Sequence, residues 1–386
     1  MPRTVVVTGA SAGVGRATAH AFAREGAQIA LIARGAEGLQ AAADEVERHG
    51  VKALAMPLDV ADAEAVEAAA ERIENELGAI DVWVNCAMAT IFAPFHRISP
   101  QEYRRATEVT YLGFVYGTMA ALKRMRARNC GTIVQVGSAL AYRAIPLQSA
   151  YCGAKFAIRG FTDSVRTELL HDGLDVRIVM VQMPALNTPQ FDWARNKMSR
   201  RPQPVPPIFQ PEIAAEAIVY ASRSRRREVW VGRSSVQAIV ANKLFPTLLD
   251  HYLAKAGYDK QLAREQVIPG AGDNLFDPVP GEARTHGRFD NRAANTSLQL
   301  WASERRGVVL AVGLGLAGFI ATMIVAARPL AQHTNSCAAG GEIDARVDQH
   351  VGQVADQLQQ QPDQCIDIER AEHDRVVAVD RRLEPQ

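Results

Sequence analysis

Three side chains have the types and the spacing that proton transfer requires. Ser138 directly follows the apolar run TIVQVG, and Tyr151 and Lys155 come thirteen and seventeen residues later. Residues four apart share one face of a helix, so Tyr151 and Lys155 are expected to lie side by side. A protonated tyrosine can give its proton to a substrate oxygen, a nearby ammonium lowers the tyrosine pKa, and a serine hydroxyl can stabilise charge on that oxygen. The alternative is that Tyr151 is an aromatic residue on a helix face and Lys155 is its solvated neighbour.

A glycine-rich turn, TGASAGVG, occupies positions 8–15, between the β-branched run TVVV and a helical pattern over residues 16–25. Without a Cβ, the backbone there can approach a pyrophosphate, and the N-terminus of the helix favours the phosphate charge. The turn therefore predicts a dinucleotide-phosphate loop, although taken alone a purely structural turn is equally consistent with it. The loop residues expected at the dinucleotide are Gly9, Ser11, Gly13, Val14 and Gly15.

Apolar, β-rich runs alternate with helical patterns through the first 235 residues, which predicts an α/β fold with a parallel sheet covered by helices on both faces. Runs such as VWVN and TIVQVG are apolar on both faces, as central strands must be. The expected strands are Thr4–Thr8, Gln28–Ala33, Ala53–Leu58, Ile80–Asn85, Thr132–Gly137, Val176–Gln182 and Glu228–Val231.

Over roughly residues 3–235 the sequence resembles the short-chain dehydrogenase/reductase family of the classical type. The matching stretches are TGASAGVG, LDV at 58–60, NCA at 85–87 where Asn-Ala-Gly is usual, Ser138, YCGAK at 151–155 and MPALNT at 183–188. The resemblance implies a Rossmann-type doubly wound sheet of about seven strands, with a nicotinamide dinucleotide bound across the carboxyl ends. It also implies hydride transfer between the nicotinamide and a carbonyl or alcohol carbon.

The resemblance assigns further residues to the cofactor site. Tyr151 and Lys155 are expected to contact the cofactor, with Lys155 holding the nicotinamide ribose. Asp59 is expected near the adenine, although an aspartate after a strand is also an ordinary helix-entry residue. Asn85 is expected to stabilise the central strands near the cofactor, or to be simply a polar group at a strand end. Thr188 is expected to touch the nicotinamide amide or the phosphates, or simply to start a turn. The additional cofactor-binding residues expected by resemblance are Asp59, Val60, Asn85, Ala87 and Thr188.

The main departure from the family pattern is Thr110, in the stretch VTYLG, where an asparagine is usual. The resemblance implies that the main-chain carbonyl at this position takes part in a proton relay to Lys155, so Thr110 joins the expected catalytic set. A threonine keeps the carbonyl. Whether it keeps the helix distortion that aims the carbonyl is open at this stage.

The second expected strand ends in ALIAR, and this ending bears on cofactor choice. Where NAD-specific members usually have a carboxylate for the ribose hydroxyls, the chain has Ala33, followed by Arg34, which can pair with a 2′-phosphate. NADP(H) is therefore the expected cofactor.

Composition restricts the other partners. The 43 basic and 42 acidic residues give no polyanion-binding signature, so nucleic acid is not expected. The five cysteines lack metal-ligand spacing, so no metal site is expected. Residues 187–211 contain apolar side chains among prolines; they suit either a lid over a small lipophilic carbonyl or alcohol substrate, or packing against the C-terminal extension. A homo-oligomer is a further option.

The C-terminal third predicts an extension of four parts. A helical extension is expected over 236–268, a linker over 269–306, a transmembrane helix over 307–328 and a poorly ordered tail over 329–386. The span contains twenty consecutive uncharged residues, 308–327, enough for ~30 Å of helix, with a buried core helix as the alternative.

Arginines are more frequent on the N-terminal side of this span, at 288, 292, 305 and 306, than on the far side, at 328 and 346. This bias favours a single-pass membrane protein with the catalytic domain, residues 1–235, facing the cytoplasm. The lipid bilayer is then a partner. The rival functional hypothesis is a membrane-tethered NADP-binding sensor or scaffold without turnover.

Overall fold

The computed structural model describes residues 2–268, 270, 272–279, 284–309 and 311. These residues belong almost entirely to the first of two compact units, Met1–Val309; the second is Leu310–Gln386. The expected tail, and nearly all of the expected membrane span, lie outside the described residues.

Seven parallel strands form the central sheet, as predicted for a Rossmann-type fold. Their order is β7-β6-β5-β4-β1-β2-β3, so the direction of winding reverses between β1 and β4. The connections that leave the carboxyl ends of these two strands therefore run to opposite faces of the sheet, which leaves a crevice between them. The strands are β1 (Thr4–Thr8), β2 (Gln28–Ala33), β3 (Ala53–Pro57), β4 (Ile80–Asn85), β5 (Gly131–Ser138), β6 (Val176–Met183) and β7 (Glu228–Trp230).

Helices cover both faces of the sheet, because β1, β4 and β5 are apolar on both sides and bury both. One core cluster joins the sheet to α1, α2 and α7, and a second joins the opposite face to α3, α5 and α6. The helices of the doubly wound part are α1 (Gly13–Ala23), α2 (Ala36–Glu47), α3 (Ala63–Leu77), α4 (Pro100–Thr107), α5 (Gly113–Arg128), α6 (Ser149–His171) and α7 (Pro211–Arg223).

Two further helices follow the sheet, α8 (Arg233–Leu244) and α9 (Pro246–Gln261). The chain then forms a strand, Leu262–Gln266, antiparallel to Arg200–Pro202 in the loop 187–211. The helical extension is therefore joined to that loop by main-chain hydrogen bonds.

Parts of the segment expected to be a linker, residues 269–306, pack against the rest of the domain. Leu275 is fully buried, and Phe289 and Leu300 are nearly so. The short strand Ala293–Ala294 pairs with Ile208–Phe209, and a final helix, α10, spans Leu298–Glu304. Glycines and prolines interrupt regular structure here, but the apolar side chains between them anchor the segment to the domain.

No helix among the described residues has the length and hydropathy needed to cross a membrane. Of the expected span, residues 308–327, only Val308, Val309 and Ala311 are described. The span therefore stays a prediction.

The packing of α10 can be tested with two leucines of the same helix. Leu300 is 3% exposed and belongs to the core cluster, whereas Leu298 is 84% exposed. Leu300→Ala is expected to lower the free energy of unfolding by about 2–4 kcal/mol, because it removes buried methyl groups and leaves a cavity. Leu298→Ala, the matched control, should stay within ~0.5 kcal/mol of the parent in urea denaturation. Equal effects would show that α10 does not pack as described.

Candidate active site

Two positions of the glycine-rich turn, Gly9 and Gly15, have no room for a side chain. A Cβ on Gly15 would lie 2.1 Å from the Gly9 carbonyl oxygen, and a Cβ on Gly9 would lie 2.8 Å from Ala87 Cα. Gly9 and Gly13 also have positive φ, at 70° and 53°, which favours glycine. The turn thus brings the N-terminus of α1, which has no side-chain cap, close to the end of β1. A helix start without a side-chain cap, beside backbone without Cβ atoms at Gly9 and Gly15, suits a phosphate, and the Gly13 N–H meanwhile donates to the Arg284 carbonyl at 3.0 Å.

A cavity of about 570 Å³ runs from this turn along the carboxyl ends of the strands. Its volume lies in the usual range for small-molecule and cofactor sites. Most residues expected from the sequence line it: Gly9, Ser11, Gly13, Val14, Gly15, Arg34, Asp59, Val60, Ala87, Ser138, Tyr151, Lys155 and Thr188.

Asn85 does not line this cavity, in contrast to its expected place among the cofactor contacts. Its amide nitrogen donates to Gln135 Oε1 at 2.9 Å and to Thr118 Oγ1 at 3.2 Å, and its oxygen accepts from Trp83 Nε1 at 2.9 Å. Asn85 is fully buried. It therefore connects β4, β5 and α5, which fits the expectation that Asn85 stabilises the central strands and fits equally its alternative role as a polar group at a strand end.

Ser138, Tyr151 and Lys155 meet at one end of the cavity. Ser138 is the last residue of β5, and the two others lie one turn apart on α6. The Ser138 hydroxyl hydrogen-bonds Tyr151. Lys155, only 2% exposed, donates from Nζ to the Val136 carbonyl at 2.7 Å, and this nitrogen lies 5.5 Å from the centre of the Tyr151 ring. The sequence prediction that these side chains come together is consistent with this geometry.

Burial controls the proton affinities of this group. It raises the pKa of Tyr151, and the hydrogen bond with Ser138 offsets only part of the rise. Burial also lowers the pKa of Lys155 to about 8. Tyr151 is consequently protonated at neutral pH, as a proton donor must be, and Lys155 still carries most of its charge there.

Thr110 is fully buried within a π-helical turn over Glu108–Leu112. Its hydroxyl donates to the Ala89 carbonyl at 2.8 Å and accepts from the Ala89 N–H at 2.9 Å. The Thr110 hydroxyl thus hydrogen-bonds both the N–H and the carbonyl of Ala89, in the loop after β4. The helix distortion that the sequence left open is present with a threonine in this position.

Arg34 and Asp59 have partners that the sequence did not reveal. Arg34 lies at the end of β2 and donates from Nη1 to the Phe276 carbonyl at 2.7 Å. Asp59 pairs with Arg105, and its Oδ1 also accepts from the Ala61 N–H at 3.0 Å, as a helix-entry residue does. Asp59 therefore has its alternative local role while it also lines the cavity.

Sequence reasoning missed two groups of lining residues. The segment after α9 contributes Asn274, Pro278 and Val279 near Arg34, and α8 and α9 contribute Ser234, Ala238, Tyr252 and Leu253 at the other end. A Gly/Pro-rich composition gave no signal for the first group. Of the aromatic residues in the loop 187–211, Phe191 and Trp193 line the cavity, and the Phe191 ring centre lies 6.0 Å from that of Phe289. Phe191 therefore fits both alternatives for this loop, a lid over the substrate and packing against the C-terminal extension.

Residues 3–199 match the family described as short chain dehydrogenase. The chain belongs to this family. This dehydrogenase is 31% identical over 323 residues to the uncharacterized oxidoreductase YxnA of Bacillus subtilis, which covers 83% of this chain and 90% of that protein. It is 32% identical over 192 residues to the 3-dehydrosphinganine reductase of Danio rerio, across 48% of this chain and 57% of that relative.

Among solved structures, this dehydrogenase is similar to an alcohol dehydrogenase from the archaeon Thermococcus sibiricus, complexed with 5-hydroxy-NADP. The TM-score is 0.53 at 28% identity, over 60% of this chain and 96% of the other. Family, fold and the oxidoreductase class thus agree with the sequence analysis.

Substitution of Thr110 is expected to change turnover without changing cofactor binding. Thr110→Ala leaves the buried N–H and carbonyl of Ala89 without their partner, at a cost of about 1–3 kcal/mol. We expect kcat to fall about tenfold as the π-helical turn relaxes, with little change in the Kd of the cofactor. Thr110→Ser keeps the hydroxyl and should keep most of the activity. Steady-state kinetics together with cofactor titration measure both effects, and an unchanged kcat in Thr110→Ala would contradict the role.

Proposed function

We propose that this protein is an NADP(H)-dependent oxidoreductase that transfers hydride between the nicotinamide and a lipophilic carbonyl or alcohol substrate. The observation that carries the proposal is one continuous cavity, with a bare phosphate-binding turn at one end and Ser138, Tyr151 and Lys155 at the other. A site that only binds phosphate does not require Ser138, Tyr151 and Lys155. A tyrosine–lysine pair with a purely structural role does not require a glycine-rich turn in the same cavity.

The chain's own residues then have defined roles. The bound cofactor supplies or accepts the hydride. Tyr151 gives its proton to the substrate oxygen during reduction, while Ser138 hydrogen-bonds that oxygen as charge develops on it. The ammonium of Lys155 favours removal of the proton in the oxidative direction and would hold the ribose. The turn at Gly9–Gly15 would hold the pyrophosphate.

The preference for NADP(H) rests on the end of β2. Ala33 offers no carboxylate to ribose hydroxyls, and Arg34 brings a positive charge to the wall of the cavity. A guanidinium pairs well with a phosphate. The similar alcohol dehydrogenase complexed with 5-hydroxy-NADP supports the same choice.

A lipophilic substrate is supported by the apolar part of the cavity lining. Leu140, Ile145, Phe191 and Leu253 contribute apolar side chains to it. Apolar lining with a few convergent polar groups is typical of sites for small organic molecules. The name of the relative from Danio rerio, 3-dehydrosphinganine reductase, points in the same direction.

The test of enzymatic function is Tyr151→Phe, which removes only the transferable proton. In a screen of aldehydes, ketones, steroids and acyl carriers, we expect the wild type to oxidise NADPH faster than NADH. The Phe variant should bind NADPH nearly as well, while its turnover falls by about 10²-fold or more.

The rival hypothesis is a sensor or scaffold that binds NADP without turnover. It would be favoured if no carbonyl compound in the panel were turned over by the wild type and if the Phe variant sustained the cellular role of the protein.

We further propose that residues 308–327 anchor the protein in a bilayer, with the catalytic domain in the cytoplasm. The uncharged sequence and the arginines before it support this proposal. The expected result is that the full-length chain stays in the membrane fraction after alkaline carbonate extraction, whereas a chain ending at residue 306 is released. Release of the full-length chain would exclude the anchor.

A further inference from the structure

A short segment after α9, residues 272–279, is held against the cavity by two arginines; we call it the covering segment. Arg34 donates from Nη1 to the carbonyls of Phe276, at 2.7 Å, and Leu275, at 3.4 Å, and from Nη2 to the carbonyl of Asn274. Arg105 donates from Nε to the Leu275 carbonyl at 3.1 Å. Three consecutive carbonyl oxygens thus point at the guanidinium groups of β2 and α4.

The covering segment forms one wall of the cavity. Leu275 is fully buried in the core cluster on the side of α3 and α5. The Asn274 N–H donates to the Trp193 carbonyl at 2.9 Å, which connects the segment to the loop at the substrate end. Pro278 and Val279 line the cavity beside Arg34. The segment therefore contacts the residues on which the choice between NAD(H) and NADP(H) depends.

A phosphate bound through both Nη atoms of Arg34 would use donors that already bind the carbonyls of the covering segment. Bidentate binding of a phosphate uses two parallel N–H groups of a guanidinium. In Arg34 both Nη atoms already donate to main-chain carbonyls, whose oxygens carry the negative ends of their dipoles. A 2′-phosphate that binds through both Nη atoms competes with the three carbonyls for these N–H groups, so the carbonyls have to move for this bidentate contact to form.

We propose that Arg34 couples cofactor choice to the position of the covering segment: a 2′-phosphate displaces the carbonyls of Asn274, Leu275 and Phe276 and frees the segment, whereas a cofactor without this phosphate binds with the segment closed. The inference rests on the proposed dinucleotide site. By linkage, the 2′-phosphate loosens the segment to the same degree that the closed segment weakens binding of the 2′-phosphate.

The direct test uses two nucleotides that differ only in the 2′-phosphate, adenosine 2′,5′-bisphosphate and adenosine 5′-monophosphate. Amide hydrogen exchange is followed by mass spectrometry in peptides that cover residues 272–279 of the full-length protein, with each nucleotide at saturation. We expect the bisphosphate to speed exchange by about fivefold or more relative to the monophosphate, at the lower end of usual coupling between sites. Equal exchange with both nucleotides bound would overturn the proposal.

Variants at two arginines make the test specific. In Arg34→Ala the two nucleotides should give the same exchange in residues 272–279, because the shared donor is gone. The matched control is Arg177→Ala, whose guanidinium donates to the Ser222 carbonyl at 3.2 Å at the opposite edge of the sheet. It should preserve the difference between the nucleotides. A difference that persists in Arg34→Ala would overturn the proposal.

The reciprocal effect is measured by calorimetry. Leu275→Ala weakens the buried anchor of the covering segment, so it should tighten binding of the bisphosphate relative to the monophosphate by about fivefold. An unchanged ratio of the two Kd values would contradict the coupling. If neither nucleotide bound the wild type, the proposed dinucleotide site would be excluded. Equal binding of the two nucleotides with equal exchange would instead exclude only the coupling.

Discussion

The site depends on the close approach of α1 to the end of β1. Gly15 lies against the main chain of Gly9, and Gly9 lies against Ala87, so three segments of backbone touch without any side chain between them. Close packing of this kind transmits any change in volume to the whole neighbourhood. A single methyl group in this contact would separate α1 from the sheet and move the loop after β4. The position of the turn at the end of β1 is therefore set by backbone packing.

A buried polar network beneath the site fixes the other side of the cavity. Asn85, Gln135 and Thr118 hydrogen-bond one another between β4, β5 and α5. Burying such groups is unfavourable unless each is paired, so the network permits only one arrangement of these elements. Ser138 is three residues beyond Gln135 on β5. The position of the Ser138 hydroxyl thus follows from polar contacts that never reach the cavity.

The parts that the sequence predicted are those controlled by local chemistry. The strands follow from β-branched apolar runs, the tight turn after β1 follows from glycines at a strand end, and the Tyr151–Lys155 pair follows from helical spacing. The partners of Arg34 could not be predicted, because they lie about 240 residues away in a stretch whose composition suggests a linker. The pairing of Thr110 with Ala89 was equally hidden, since hydrogen bonds to main-chain groups depend on the fold and leave no pattern in residue types.

The attachment of α10 has a mechanical consequence. Gln299 donates to the Trp230 carbonyl at 2.9 Å, Arg226 bonds Ser303, and Leu300 is inserted into the core. These contacts lie between the C-terminal side of the chain and the short strand Ala293–Ala294, which pairs with Ile208–Phe209. A pulling force from beyond residue 304 would load α10 and the edge of the sheet before it reached that strand. The helix would therefore bear such a force before the loop 187–211 did.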